Sequence, residues 1–428
     1  MPDRHSGTGA PDLIFVPRSF LFLQGPQSYF FEHAGRALRA RGHRVHRVNL
    51  NLGDQLFWRL PATEYRGRFE QWPGFIAGLL EERRVTDLVL LGDRRPYHIA
   101  AAGAARERGI AVVVADLGYV RPDWLTLEAD GMTTCSRFPR DPAAIRALAE
   151  NFPEPDLTRR FHTPFWRLAV ADVSYHGAAV LGRPLYPHYR RHGLHHPFAE
   201  YAAWVWNAPR RLATRRATEA AKARLAAAPG DYFLYPLQLA SDFQLRAHSP
   251  FADARDALRT VLRSFAKSPG KTRLIIVGHP LDEGLIDWRR LVRDAGDDRL
   301  IFLAGGVPDA LLAGAAGMVT VNSTLGLAAL GRGVPVKTLG SAIYEVPGLT
   351  HRGDLDRFWR APRPPDPALA DAFLRALVGA TQVKGGWHTR DAREAALPVF
   401  VERLEKGLYP LPPNSVVTPV EAAALRLT

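Results

Sequence analysis

The stretch YPLQLASDFQLRAHSPF, residues 235–251, opens as an apolar strand and then gathers Gln238, Asp242, Gln244 and His248. A carboxylate, two amides and an imidazole have little use in folding alone. The carboxyl end of a strand, however, is where α/β domains keep their reactive groups.

Two further clusters have the chemistry of an anion site. IIVGHPLDEG ends a strand at Val277 and continues with His279 and Pro280. The imidazole can donate a hydrogen bond to a phosphate, and the proline stiffens the turn that aims it. VTVNSTLGLAALGRGVPVKTLG reads as a strand, then Asn322, Ser323 and Thr324, then a helix containing Gly326. Hydroxyls and backbone N–H groups at a helix start attract negative charge. Each cluster has an ordinary alternative, a plain loop for His279 and a helix N-cap for Ser323 or Thr324. A cap needs only one hydroxyl, and this pair lies one βα unit beyond His279.

The N-terminal half places polar residues at the ends of three strands. Gln24 precedes a Gly25-Pro26 turn, Asn49, Asn51 and Asp54 follow the second strand, and Asp116, Gly118 and Arg121 follow another. These could simply satisfy loop backbone, but their recurrence at strand ends favours a site. The first turn is not GxGxxG, so a dinucleotide is not expected. HGLHH, residues 192–196, has the composition of a metal tract but no convincing ligand spacing. No metal and no other cofactor are expected.

The elements that must position these residues follow a repeating grammar. LIFVP and RVHRVNLN read as strands around the helical YFFEHAGRALRARGH. VTDLVLLGD, HIAAAGAARERG and IAVVVADLG then continue as strand, helix, strand. Residues 230–340 repeat the pattern, with helices around 251–267 and 284–295. Such alternation predicts parallel sheets with crossover helices. The expected boundaries are a flexible tail over 1–11, an N-terminal Rossmann-like domain over 12–150 and a basic, aromatic-rich helical linker over 151–229. A C-terminal Rossmann-like domain over 230–385 and a helical segment with a tail over 386–428 complete the chain. The fold class expected is α/β, of the GT-B glycosyltransferase type, with two facing domains and a central cleft. Sugar-nucleotide 2-epimerases share that outline, and fold alone does not choose between them.

Composition narrows the partners. The net charge of +13 calls for a polyanionic substrate, a nucleic acid or an anionic membrane surface, unless it reflects only an Arg- and Ala-rich genome. No zinc-finger, RNP or basic-zipper pattern is present, so nucleic acid is not expected. The single cysteine, Cys135, excludes an internal disulfide and suits a reducing compartment. No run approaches the ~20 apolar residues of a membrane span, so a cytoplasmic protein is expected. Trp204 and Trp206, followed by Arg210, Arg211, Arg215, Arg216, Lys222 and Arg224, suggest contact with a membrane surface. A solvated linking helix is the alternative.

LQGPQSYFF, VNLNLGDQLFW, LGDRRPYHIAA, GYVRPDWLTLE, RFPRDP, LQLASDFQLRAHSPF, HPLDEG, VTVNSTLGLAAL, GLTHRGDLDRFW and TQV run in order from about residue 20 to 385. Together they resemble the capsular-polysaccharide family of KpsS and LipB, from group 2 capsule bacteria. The resemblance implies a retaining GT-B β-Kdo transferase that takes Kdo from CMP-β-Kdo. Its acceptor would be a lysophosphatidylglycerol-type lipid at the inner-membrane face, beside other capsule proteins. It implies Asp242 and Asp116 as catalytic carboxylates. His279, Asn322, Ser323 and Thr324, with Gln238 and Gln244, would hold the donor, and Gln24, Asn51, Asp54 and Arg121 would lie on the acceptor side. Retention by two displacements needs a nucleophilic carboxylate, which Asp242 would supply. Two departures stand out: Gly278 where the family has a basic residue or His, and Asp116 where it has a glutamate. A transferase for another CMP-activated ulosonic acid and a non-catalytic capsule assembly or export factor are the alternatives.

Overall fold

The computed structural model describes residues 16–191, 196–239, 245, 248–282 and 284–412, without the side chains of Arg210 and Arg211. Twelve strands occur among them. In the first half these are β1 (Ser19–Phe22), β2 (Arg44–Asn49), β3 (Thr63–Glu64), β4 (Asp87–Leu91), β5 (Ala111–Leu117) and β6 (Trp124–Ala129). The second half adds β7 (Tyr232–Pro236), β8 (Arg273–Val277), β9 (Leu300–Leu303), β10 (Gly317–Thr320), β11 (Val336–Thr338) and β12 (Gln382–Lys384).

The N-terminal sheet has the order β12-β6-β5-β4-β1-β2-β3. It is parallel except where β6 pairs antiparallel with β5 and with β12. Side-chain alternation builds its two faces: Phe20, Phe22, Val89 and Val113 pack on one, and Leu21, Leu23, Leu88 and Val112 on the other. The sheet begins at Ser19, later than the expected LIFVP strand. Leu13–Phe15 lie outside the described residues, and Pro17, which has no N–H to give a ladder, stays out of the strand.

The C-terminal sheet, β11-β10-β7-β8-β9, is parallel throughout. The Ala254–Phe265 helix covers it with Ala254, Ala257, Leu258, Val261, Leu262 and Phe265 buried, a spacing that keeps one helical face apolar. Asp253 starts that helix by accepting from the Arg255 N–H.

The domain boundary expected at 385 lies earlier. The Pro367–Thr381 helix packs on the Pro142–Ala149 helix, β12 enters the N-terminal sheet, and the Arg390–Lys406 helix lies against Phe30–Ala40. Both members of the first pair start with Asp-Pro, where Asp141 and Asp366 cap and the proline occupies the first helical turn. The chain therefore crosses to the second sheet and returns. The linker contains two helices, Phe165–Leu181 and Pro197–Ala226.

Candidate functional site

Each sheet reverses its strand order once, between β1 and β4 and between β7 and β10. Loops diverge at such points and leave a crevice beyond the strands' carboxyl ends. A cleft of about 510 Å³ lies between the sheets, within the size range of small-molecule sites. It brings together Asp116, Arg121, Gln238, His279, Asn322, Ser323 and Thr324, residues separated by up to 208 positions.

The C-terminal wall is a tied set of loops. Gln238 follows β7 and donates from Nε2 to Asn322 Oδ1 at 2.8 Å, while the Asn322 N–H donates back to Gln238 Oε1 at 3.2 Å. This reciprocal pair closes the β7/β10 switch point and fixes the start of the Ser323-Thr324 turn. Ser323 Oγ accepts from the Leu325 N–H at 3.2 Å, so it performs the capping role. Thr324 makes no side-chain capping bond to the helix it precedes. That helix, Leu325–Leu330, has six residues, so hydroxyl and N–H groups rather than a long dipole would carry an anion here. Tyr344 Oη donates to Ser323 O at 2.5 Å. Its ring occupies the space a Cβ on Gly326 would need, which accounts for glycine there.

His279 stands beyond β8. The Leu281 N–H donates to its Nδ1 at 3.1 Å. Burial, and then the Arg121 charge, lower its pKa to about 4. The ring is neutral at pH 7, with its proton on Nε2 as a hydrogen-bond donor.

The opposite wall supplies charge. Arg94 and Arg95 from the loop after β4, with Arg121 after β5, line the cleft beside Asp116. Three arginines against one aspartate leave the lining at +2 with His279 neutral. Asp116 is half-buried and accepts from the Leu117 N–H at 2.7 Å. Burial raises its carboxyl pKa, against the lowering pull of that bond and of Arg121 and Arg95. Asp116 is thus a stronger base than an ordinary aspartate.

Tyr119 is a wall residue that sequence reasoning missed. It donates to Glu128 Oε1 at 2.7 Å and accepts from the Thr133 N–H at 2.9 Å. Thr133, also in the lining, has φ +54°, a left-handed conformation uncommon for a β-branched residue. Glu128 is fully buried, also takes the Ser136 hydroxyl, and is pushed up to about 7 by desolvation. Arg140 donates to Thr133 O and to Ala342 O, both at 2.9 Å, and Thr134 meets His248 Nδ1 at 2.7 Å. These bonds hold the two sheets' loops together at the cleft. The signal available for Arg94 and Arg95 was GDRRP after a strand, a fourth polar strand end.

Three expected acceptor-side residues are elsewhere. Gln24, Asn51 and Asp54 are buried and do not line the cleft. Gln24 Nε2 donates to Tyr175 Oη at 3.0 Å and to Tyr189 Oη at 3.2 Å, and Tyr175 donates to Asp54 Oδ1 at 3.0 Å. Asn51 adds a bond to Tyr175 at 3.1 Å, and Arg47 lies 3.8 Å from Asp54. The linker helix covers the β1 and β2 ends, so their polar groups fasten it and are not offered to a ligand.

The remaining expectations divide. Asp242 and Gln244 lie outside the described residues, as do His192 and His195 of HGLHH. Among the described residues no three His, Cys, Asp or Glu side chains come together as a metal site. Trp204 stacks on Phe165 with centroids 5.4 Å apart, Trp206 is 85% exposed, and Arg215, Arg216 and Arg224 are exposed. Lys222 is not available to a surface: it is buried and donates to Glu219 and to Gly305 O at 3.1 Å. No helix among the described residues is long and apolar enough to cross a membrane.

A family model described as "Capsule polysaccharide biosynthesis protein" matches residues 86–388. The chain is 32% identical over 397 residues to the capsule polysaccharide modification protein LipB of Neisseria meningitidis, covering 89% of this chain and 94% of that one. It is 30% identical to the capsule polysaccharide export protein KpsS of Escherichia coli, over 88% of this chain and 98% of that one. Among solved structures it is similar to the β-Kdo 2,7 transferase KpsC of Thermosulfurimonas dismutans. That similarity has a TM-score of 0.44 and 13% identity, covering 90% of this chain and 99% of that one.

Proposed function

The chain belongs to the capsule polysaccharide biosynthesis protein family, and we propose that it is a retaining glycosyltransferase that moves Kdo from CMP-β-Kdo to a lysophosphatidylglycerol-type lipid. The observation that carries this reading is the meeting of His279, Asn322, Ser323 and Thr324 with Arg94, Arg95, Arg121 and Asp116 across one cleft. A CMP-linked ulosonic acid carries a phosphodiester and a carboxylate. Those two negative charges match a lining at +2.

In the proposed reaction the phosphate lies against His279 Nε2–H and the Ser323-Thr324 turn. As the C–O bond to CMP breaks, these donors and the arginines take up the charge developing on the leaving phosphate. Asp242 attacks the anomeric carbon from the opposite face and forms a glycosyl ester. Its chain position supports this role, since Leu239, three residues earlier, lines the cleft. The acceptor hydroxyl then attacks that carbon, gives its proton to Asp116 and releases Asp242. Two inversions give net retention. The arginines and His279 meet the charge requirement, so activity without added divalent metal is part of the proposal.

Calorimetry with CMP and UDP tests the donor assignment. CMP binding that withstands EDTA, at least tenfold tighter than UDP, is the expected result. Preference for UDP would favour the 2-epimerase outline instead.

A further inference from the structure

Ten of the seventeen exposed large apolar side chains among the described residues fall between 165 and 212. Isolated exposed apolar groups are normal, whereas a concentration marks a contact surface. Trp166 and Val170 are 61% and 58% exposed on the Phe165–Leu181 helix. Val205, Trp206 and Leu212 are 66%, 85% and 70% exposed on the Pro197–Ala226 helix. On that second helix Phe198, Val205 and Leu212 recur every seven residues, the spacing of one helical face. The two helices meet antiparallel, through the Phe165–Trp204 stack and the bond from Tyr201 to Asp172.

Charge identifies what covers these faces. Residues 165–226 contain ten Lys or Arg and three Asp or Glu, so this stretch carries +7 of the chain's +13. A second copy would bring the same positive charge against it. A negatively charged surface would complement it. Arg167 lies over the Trp166 ring at 5.3 Å, which sets a guanidinium beside an exposed aromatic. That pairing suits a bilayer interface, with the ring at the acyl boundary and the cation among phosphates.

We propose that the two linker helices dock this protein on an anionic lipid bilayer, lying in the interface without crossing it. Both helices are anchored for that task. Tyr175 fixes the first to Asp54 and Gln24 of the N-terminal domain, and Lys222 fixes the second to Gly305 of the C-terminal domain. A docked linker would bring both walls of the cleft to the membrane together. The proposal rests on the function above only for why a lipid is sought, and vesicle binding is measured with neither donor nor acceptor present. A failed transfer assay and a failed docking assay are therefore separate results.

Sedimentation with phosphatidylglycerol–phosphatidylcholine vesicles and with pure phosphatidylcholine vesicles tests it on the full chain. The wild type should bind the anionic vesicles and lose most binding in high salt. Replacing Trp166, Val205 and Trp206 with serine should lower partitioning roughly tenfold or more. Arg215→Glu with Arg216→Glu should lower it by on the order of 30-fold at low salt, with CMP affinity unchanged as the folding control. If the serine variant misfolds, the arginine pair and the wild-type salt titration decide. Equal binding to neutral vesicles, no binding at all, or a dimer that the serine variant dissociates would overturn the proposal.

Discussion

The strand ends of the two sheets start from the same sequence logic and end differently. At β7/β10, Gln238 and Asn322 bind one another and still line the cleft. Around β1 and β2, Gln24, Asn51 and Asp54 bind one another as well, but the Phe165–Leu181 helix closes over them through Tyr175. A polar group at a strand end becomes a ligand-binding group only where no other element covers that end. The N-terminal sheet contributes to the cleft from β4 and β5 instead, through Arg94, Arg95, Asp116 and Arg121.

The sharpest contrast is between chemistry and scaffold. Asp242→Ala should lower transfer by on the order of 10⁴-fold or more while CMP still binds. Single-turnover kinetics would measure it, and retention of more than about a tenth of the wild-type rate would exclude Asp242 as nucleophile. Asp54→Leu should act on stability instead. It leaves Arg47 as an uncompensated buried charge, which typically costs about 3–5 kcal/mol. Denaturant unfolding should report that loss with CMP affinity in the surviving folded protein close to wild type. A normal unfolding midpoint with weakened acceptor binding would return Asp54 to the acceptor side.

Smaller effects distinguish the two walls. His279→Ala removes one donor to an ionised group and should weaken CMP binding by about 10- to 150-fold. The Ser323/Thr324 double alanine variant should do likewise, with part of its effect arising from the lost cap at Leu325. Unchanged affinity in both variants would remove the C-terminal wall from donor binding.

Glu128 gives the smallest and most gradual signal. Its folded pKa is raised from 4.5 to about 7, so the folded state keeps a proton that the unfolded chain has lost. The stability this confers is complete below pH 4.5, falls as pH rises toward 7, and stays low above that. Glu128→Gln should flatten that fall in a series of melting curves from pH 5 to 8. A variant with the same slope as wild type would assign the pH dependence to another group.

The parallel strands and their order of alternation with helices were legible because β4, β5, β7 and β8 are short apolar runs ended by turn residues. So were His279 and the Asn322-Ser323-Thr324 turn, since a strand end followed by a helix start is a local pattern. The β5–β6 antiparallel pair and the return of β12 were not legible. Both depend on contacts across the chain, as when Gln382 of β12 accepts from the Tyr119 N–H 263 residues away. The burial of Asp54 was hidden for the same reason, because its partner Tyr175 lies 121 residues on. Thr133 enters the wall through a left-handed conformation that a threonine does not announce, and Tyr119 meets it from 14 residues earlier in the chain.

The most direct measurement is to incubate purified protein with CMP-Kdo and a lysophosphatidylglycerol analogue, then identify the product by mass and anomeric NMR. The account predicts release of CMP and one β-linked Kdo on the lipid. Intact lipid alongside intact CMP-Kdo, from folded protein that binds CMP, would contradict it.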